Sequence, residues 1–232
     1  MTTTPSEPGG PMPTTSPCLL IDLDDTLVER TAAFTRWARD VVGEVDGSPA
    51  DLAWLVEADA SGYTPRADLA GRMRDRFALE EPVDALVDRL LYEHVRYVTP
   101  ADGVVARLDA LRSAGWRVVV VTNGTERQQA MKLDGTGLGE LVDGVVVSEA
   151  VGVAKPDARI FTRALEVAGA ATEGGWMVGD HPRADVEGGR AAGLLTGWVS
   201  RGREWVGGSE PTVTARTTAL VLDAVADAVA AA

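Results

Sequence analysis

Five short apolar runs recur along the chain: Cys18 to Ile21, Trp116 to Val121, Val145 to Val147, Trp176 to Val178, and Leu194 to Val199. Runs this short and continuous suit parallel strands covered on both faces, because neither face needs to alternate with solvent. Between them lie stretches with helical spacing, Val104 to Ala114, Ile160 to Ala168 and Asp185 to Ala192, followed by Gly115, Gly169 and Gly193. Glycine there is the usual left-handed cap of a helix C-terminus. Strands alternating with helices require right-handed crossovers, so the pattern predicts an α/β fold on a doubly wound parallel sheet.

One interval breaks the rhythm. Asp22 and Thr122 stand 100 positions apart, whereas a βαβ unit takes roughly 30 residues. Inside the gap, Phe34, Trp37, Ala38, Val41, Val42 and Val45 keep the spacing of one helix face, as do Val83, Leu86, Val87, Leu90, Leu91, Val95 and Val98. Ser48-Pro49 and Thr64-Pro65 read as a capping residue with proline at the first helical position. Residues 31–98 are therefore expected to form an all-helical subdomain inserted into a core of residues 18–30 and 99–232. Residues 1–17, rich in Thr, Pro, Gly and Ser, are expected to be a disordered tail.

Four motifs fall at the ends of these strands or beside them, where open α/β sheets place their ligands. They are Asp22-Leu-Asp24-Asp25-Thr26-Leu27, Thr122-Asn123-Gly124, Lys155-Pro156-Asp157, and Gly179-Asp180 with Asp185 five residues on. Each alone is an ordinary turn, cap or surface lysine. Their ordered recurrence, with an insertion placed where a lid would be useful, makes them a set. Asp22 and Asp24, two apart, are expected to project to the same side, and Pro156 suggests that a helix N-terminus begins beside Lys155.

These motifs, with Val153-Ala-Lys155-Pro-Asp157 through Ile160-Phe161 and Val178-Gly-Asp-His-Pro-Arg-Ala-Asp185, make the chain resemble the haloacid dehalogenase superfamily from about Leu19 to Trp205. The resemblance implies a Rossmann-like sheet with a mobile helical cap inserted after the first motif. It also implies Asp22 as nucleophile, Asp24 as general acid and base, Thr122 and Lys155 as phosphoryl ligands, and Asp180 as a ligand of Mg²⁺. Chemistry supports the carry-over, since phosphoryl transfer needs in-line positioning and neutralised oxygens more than a strong nucleophile. Asp22 would become an aspartyl phosphate, with Asp24 protonating the leaving oxygen and then activating water. Asp22, Asp180 and Asp24, the last through its carbonyl, would bind the metal; Asp185 either completes the site or supports it. Thr122, Asn123 and Lys155 would bind the phosphate, Lys155 aided by a helix dipole.

The expected activity is Mg²⁺-dependent hydrolysis of a small soluble phosphate monoester, a nucleoside monophosphate or a sugar phosphate. Specificity is expected in the inserted helices and around Val28 to Phe34. A 2-haloacid dehalogenase, a phosphomutase and a non-catalytic binding protein are the alternatives; a halide leaving group would not need Asp24. A net charge of −13, from 22 basic and 35 acidic side chains, gives nucleic acid polymers and acidic membranes no foothold. An anionic substrate must then be met by a local cation. No apolar run reaches the roughly 20 residues of a membrane span, and a lone cysteine, Cys18, fits a reducing compartment, so the cytoplasm is expected. Oligomeric state is left open. Cys18 reads as a buried strand residue, His94 and His181 as structural, and Phe34, Trp37 and Trp54 as packing residues. Arg66, Arg72, Arg74 and Arg76 read as a solvated helix face, Arg72 pairing with Asp68 and Asp75.

Overall fold

The computed structural model describes residues 16–231, so nearly all of the expected N-terminal tail lies outside the described residues. Six strands form one sheet: β1 (Cys18–Ile21), β2 (Arg117–Thr122), β3 (Gly144–Val147), β4 (Trp176–Gly179), β5 (Leu195–Val199) and β6 (Val213–Ala215). Their order is β3-β2-β1-β4-β5-β6 and all pairings are parallel. The chain winds outward from β1 through β2 to β3, then crosses back to continue from β4 to β6. The order therefore reverses between β1 and β4, which opens a crevice at their carboxyl ends. The sixth strand was not foreseen: it is a three-residue edge strand that is not buried, so it has no apolar run to betray it.

Alternation along the strands sorts the core into two layers. Leu19, Ile21, Val118, Val120 and Val178 face helices α5 (Val104–Ser113) and α10 (Thr218–Ala230). Cys18, Leu20, Val119, Val121 and Met177 face α8 (Ala158–Ala168), whose Ile160, Phe161, Ala164 and Leu165 form one apolar stripe. Burial pushes the Cys18 thiol up to about 11, consistent with a packing role.

Between β1 and β2 run α1 (Arg30–Glu44), α2 (Pro49–Asp59), α3 (Arg66–Phe77) and α4 (Val83–Tyr92). They carry an apolar core of their own, in which Phe34, Trp37, Val41, Leu55, Leu69, Met73, Leu86 and Leu90 are buried. Trp54 packs half-buried against Phe77, and Arg72 and Arg76 lie over its ring. His94 is fully buried edge-on to Phe34, and burial holds it neutral, with its pKa down at about 3. Ser48 caps α2 as expected, in a reciprocal pair with Asp51. Thr64 does not cap α3: its hydroxyl donates to the Ala58 carbonyl at 2.7 Å, and Pro65 takes the cap position. Arg76 pairs with Asp51 and Arg74 with Asp75, whereas the expected pairs of Arg72 with Asp68 and Asp75 are not formed among the described residues.

Three other α-helices are described: α6 (Glu126–Thr136) after β2, α7 (Ser148–Val151) after β3, and α9 (Gly188–Ala191) before β5. The helix expected over 185–192 is a π-helical turn, Pro182–Glu187, running into α9. Among the described residues no helix is long and apolar enough to cross a membrane.

Candidate active site

A cleft of about 570 Å³ lies between the carboxyl edge of the sheet and the inserted helices, and Asp22, Asp24, Thr122, Asn123, Lys155 and Asp180 all line it. Asp22 directly follows β1, where its amide donates to the Val178 carbonyl at 2.9 Å and extends the sheet by one residue. Lys155 Nζ lies 2.6 Å from Asp22 Oδ1 and 2.7 Å from Asp185 Oδ1. Both partners raise the lysine's pKa further than burial lowers it, so it stays charged. Burial raises Asp22 to about 7; the Asp185 charge adds to this, and Lys155 opposes it.

Asp180 follows β4 and is pushed up by burial and then by the charges of Asp185 and Asp22. Its Oδ2 accepts from Arg203 at 2.9 Å, and its carbonyl accepts from the Trp198 indole at 2.9 Å. Asp185 is fully buried; its Oδ2 accepts from the His181 amide at 2.9 Å. Room for that carboxylate comes from Gly179, where a β-carbon would stand 2.2 Å from Asp185 Oδ2. Asp22, Asp180 and Asp185 each offer an oxygen within 4.8 Å of the others.

The Asp24 carboxylate is not part of that cluster. Leu23 closes a turn by accepting from the Leu27 amide at 2.9 Å; both aspartates line the cleft as expected, but their carboxylates meet different lysines. Asp24 meets Lys132 Nζ at 2.7 Å and Gln129 Nε2 at 3.2 Å. Burial raises its pKa, but the Lys132 charge and hydrogen bond, with Arg30 behind them, outweigh burial and hold it below the usual carboxylate value. Lys132 and Gln129 stand three apart on α6, beside Leu133, on the buried face. Neither was foreseen, although a lysine on the same helix stripe as a leucine was the available signal.

On the phosphate side one expectation narrows and another needs correction. The Asn123 side chain clamps the Lys155 backbone, accepting from its amide at 2.8 Å and donating to its carbonyl at 3.1 Å. The side chain thus positions the lysine, and any phosphate contact of Asn123, which lines the cleft, falls to its backbone amide. Lys155 is also not at a helix N-terminus: α8 begins at Ala158, and Asp157 caps it by accepting from the Arg159 amide. Thr122 is buried, its hydroxyl accepting from Gln129 Nε2 at 2.6 Å.

The inserted helices contribute the opposite wall. Arg30 and Arg66 line the cleft and share Asp59 as partner, so Arg66 does not belong to the solvated face expected of it. Tyr63 lays its ring 4.8 Å from that of His181, across the mouth of the cleft. His181 is structural as expected, its Nδ1 accepting from the Arg183 and Ala184 amides at 3.2 and 3.1 Å.

Similarity to known proteins agrees with this geometry. The family described as haloacid dehalogenase-like hydrolase matches residues 17–193. A phosphoserine phosphatase from Thermus thermophilus is 36% identical over 182 residues, 75% of this chain and 71% of that protein. A pyrimidine 5'-nucleotidase, YjjG, from Escherichia coli is 42% identical over 118 residues, about half of each chain (50% and 52%). In fold, the chain superposes on the magnesium-bound HAD-hydrolase YfnB of Bacillus subtilis with a TM-score of 0.74 at 22% identity, covering 92% of this chain and 100% of that one. With curated phosphatases among its relatives and the family match spanning most of its length, the chain belongs to the haloacid dehalogenase-like hydrolases.

Proposed function

We propose that the chain is a Mg²⁺-dependent phosphatase of small phosphate monoesters, sugar phosphates or nucleoside monophosphates, working through an aspartyl phosphate on Asp22. The carrying observation is a buried aspartate joined to a charged lysine and set among two further carboxylates, inside a cleft walled by helices. The donor set fits the metal: Asp22, Asp180 and Asp185 supply only oxygen, and burial and mutual repulsion raise two of them, Asp22 and Asp180, a strain that a hard cation relieves. Asp24 contributes its backbone carbonyl rather than its carboxylate, which Lys132 engages. Bound there, Mg²⁺ supplies charge neutralisation for the transferring group.

An Asp22 oxygen attacks phosphorus, the bond to the leaving oxygen breaks, and Asp24 passes its proton to that oxygen. Asp24, now a carboxylate, takes a proton from water; the water oxygen attacks phosphorus, the bond to Asp22 breaks, and orthophosphate leaves. Lys132 favours the carboxylate form, which suits the second step. A substrate phosphate beside Asp24 raises its pKa by like-charge repulsion, which suits the first. Lys155 and Thr122 hold phosphoryl oxygens, and the inserted helices exclude bulk water as a lid.

The test is phosphate release from p-nitrophenyl phosphate and a panel of small monoesters, with and without Mg²⁺, for the wild type and Asp22→Asn. Release only by the wild type with Mg²⁺ is expected. Undiminished release by Asp22→Asn, at wild-type thermal stability, would refute the nucleophile.

A further inference from the structure

Thr122 lines the cleft, and the strand that carries it does not fix the direction of its hydroxyl. A threonine Oγ1 has one proton and two lone pairs and turns to suit its neighbours. Its only side-chain partner among the described residues is Gln129, whose Nε2 stands 2.6 Å away. An amide nitrogen donates and cannot accept. Oγ1 is therefore the acceptor in that bond, and its single proton is turned away from Gln129. The Asn123 carbonyl, 3.5 Å from Oγ1, is a poor alternative for that proton, since O–H···O bonds lie at roughly 2.5–3.0 Å.

The other neighbours of Gln129 fix which end of its amide faces Thr122. Nε2 also lies 3.1 Å from the Asn123 carbonyl and 3.2 Å from Asp24 Oδ2. A carbonyl, and a carboxylate already engaged by Lys132, only accept. The amide protons are thus shared among acceptors at this end. Gln129 Oε1, at the other end, is buried and has no hydrogen-bond partner among the described residues. A bare buried acceptor costs stability, and a methionine of similar volume would fill the space without that cost. What the glutamine supplies in return is Nε2.

The local chain is built to hold it there. Gln129 is fully buried in the first turn of α6, where its amide donates to the Thr125 carbonyl at 3.1 Å. Gly124, with φ of 148°, lets the turn pass close: a β-carbon there would press 3.1 Å from Gln129 Cδ and Nε2. Ser148 pins the same turn, its hydroxyl accepting from the Gly124 amide at 3.0 Å and donating to the Gly124 carbonyl at 3.2 Å.

We propose that Gln129 is a positioning residue that occupies the acceptor side of Thr122 Oγ1 and so directs the hydroxyl proton at a phosphoryl oxygen of the substrate. The donor is then aimed before charge builds on that oxygen and needs no reorientation as it does. This deepens the phosphatase reading and rests on it. Asp24 depends on Gln129 less, because Lys132 holds both of its oxygens at 2.7 Å.

The test is kcat/KM for p-nitrophenyl phosphate with Mg²⁺, for Gln129→Met alone and combined with Thr122→Ala or Thr122→Ser. This parameter covers the steps up to phosphorylation of Asp22, and nitrophenolate leaves without a proton from Asp24, so the Asp24 contact is silent in it. With Thr122 in place, Gln129→Met should lower kcat/KM about 10- to 100-fold, as misplacing a reacting-site group does. Thr122→Ala should itself cost about 100- to 1000-fold, and adding Gln129→Met to it should cost less than about threefold. Thr122→Ser restores the hydroxyl, and with it the loss on Gln129→Met should return. Gln129→Leu takes the place of Gln129→Met if thermal unfolding shows the latter unfolded. A packing role predicts the same loss in all three backgrounds. That additivity, or an unchanged kcat/KM in Gln129→Met, overturns the inference and leaves the phosphatase reading standing. If the wild type with Mg²⁺ releases no nitrophenolate, both readings fall.

Discussion

Glycine to alanine at two positions should have opposite consequences, because only one of them has a carboxylate in the way. At Gly179 an added β-carbon would stand 2.2 Å from Asp185 Oδ2 and 2.3 Å from its Cγ. Restoring an ordinary contact forces the carboxylate back by roughly 1 Å. That displacement strains two interactions, the 2.9 Å bond from the His181 amide and the 2.7 Å contact with Lys155. Charge-assisted bonds are worth about 1.5–3 kcal/mol each, so Gly179→Ala should lower stability by about 2–5 kcal/mol. A misplacement of about 1 Å beside the reacting groups is expected to cost about 100-fold in rate. Gly71, inside α3, has nothing within 4 Å of its β-carbon position. There the same substitution should stabilise by about 0.8–1 kcal/mol through helix propensity alone, and raise the unfolding midpoint by roughly 2–4 °C. Thermal unfolding, Mg²⁺ titration of activity, and kcat on p-nitrophenyl phosphate would be measured for both variants. Wild-type activity and Mg²⁺ dependence in Gly179→Ala would refute the claim that Asp185 is held where the site needs it.

Two further outcomes are expected. Asp22 has a folded pKa of about 7 against an ordinary 3.8, so between these values the folded chain holds a proton that the unfolded chain has lost, and the metal-free protein loses stability as pH rises through that window. Buried His94, with its pKa down at about 3, has the opposite slope below about 6.5, so the comparison is with Asp22→Asn: the variant's unfolding midpoint should gain on the wild type's from pH 4 to 7, and Mg²⁺ should close the gap. A gap independent of pH would count against the raised pKa. Asp24→Asn should lose about 10²- to 10⁴-fold on an alkyl phosphate and much less on an activated aryl phosphate, and equal losses would remove the acid role.

The sheet and the motif positions were legible because burial writes itself into sequence directly. A strand covered on both faces must be apolar throughout, so Val118 to Val121 and Trp176 to Val178 announced themselves. The spacing of 100 positions between Asp22 and Thr122 likewise required inserted chain, since a crossover between parallel neighbours takes only roughly 30 residues. Local capping was legible only where the side chain had no better offer: Ser48 caps its helix, whereas Thr64 bonds back to Ala58.

Side-chain pairing was decided by the tertiary structure, because charged groups look alike until the fold brings partners together. Lys132 and Arg66 read as ordinary helix cations in sequence, yet each is drawn to a carboxylate far along the chain or across a loop: Asp24, 108 positions away, and Asp59, seven away. Asn123 was expected at the phosphate; it does line the cleft, and its side chain holds the backbone of Lys155, a partner 32 positions on that no spacing announced. Sequence determined which strand ends carry carboxylates, since a buried strand must stop where a charge begins. Only the fold could determine which cation each carboxylate meets, because that depends on distances that no local spacing encodes.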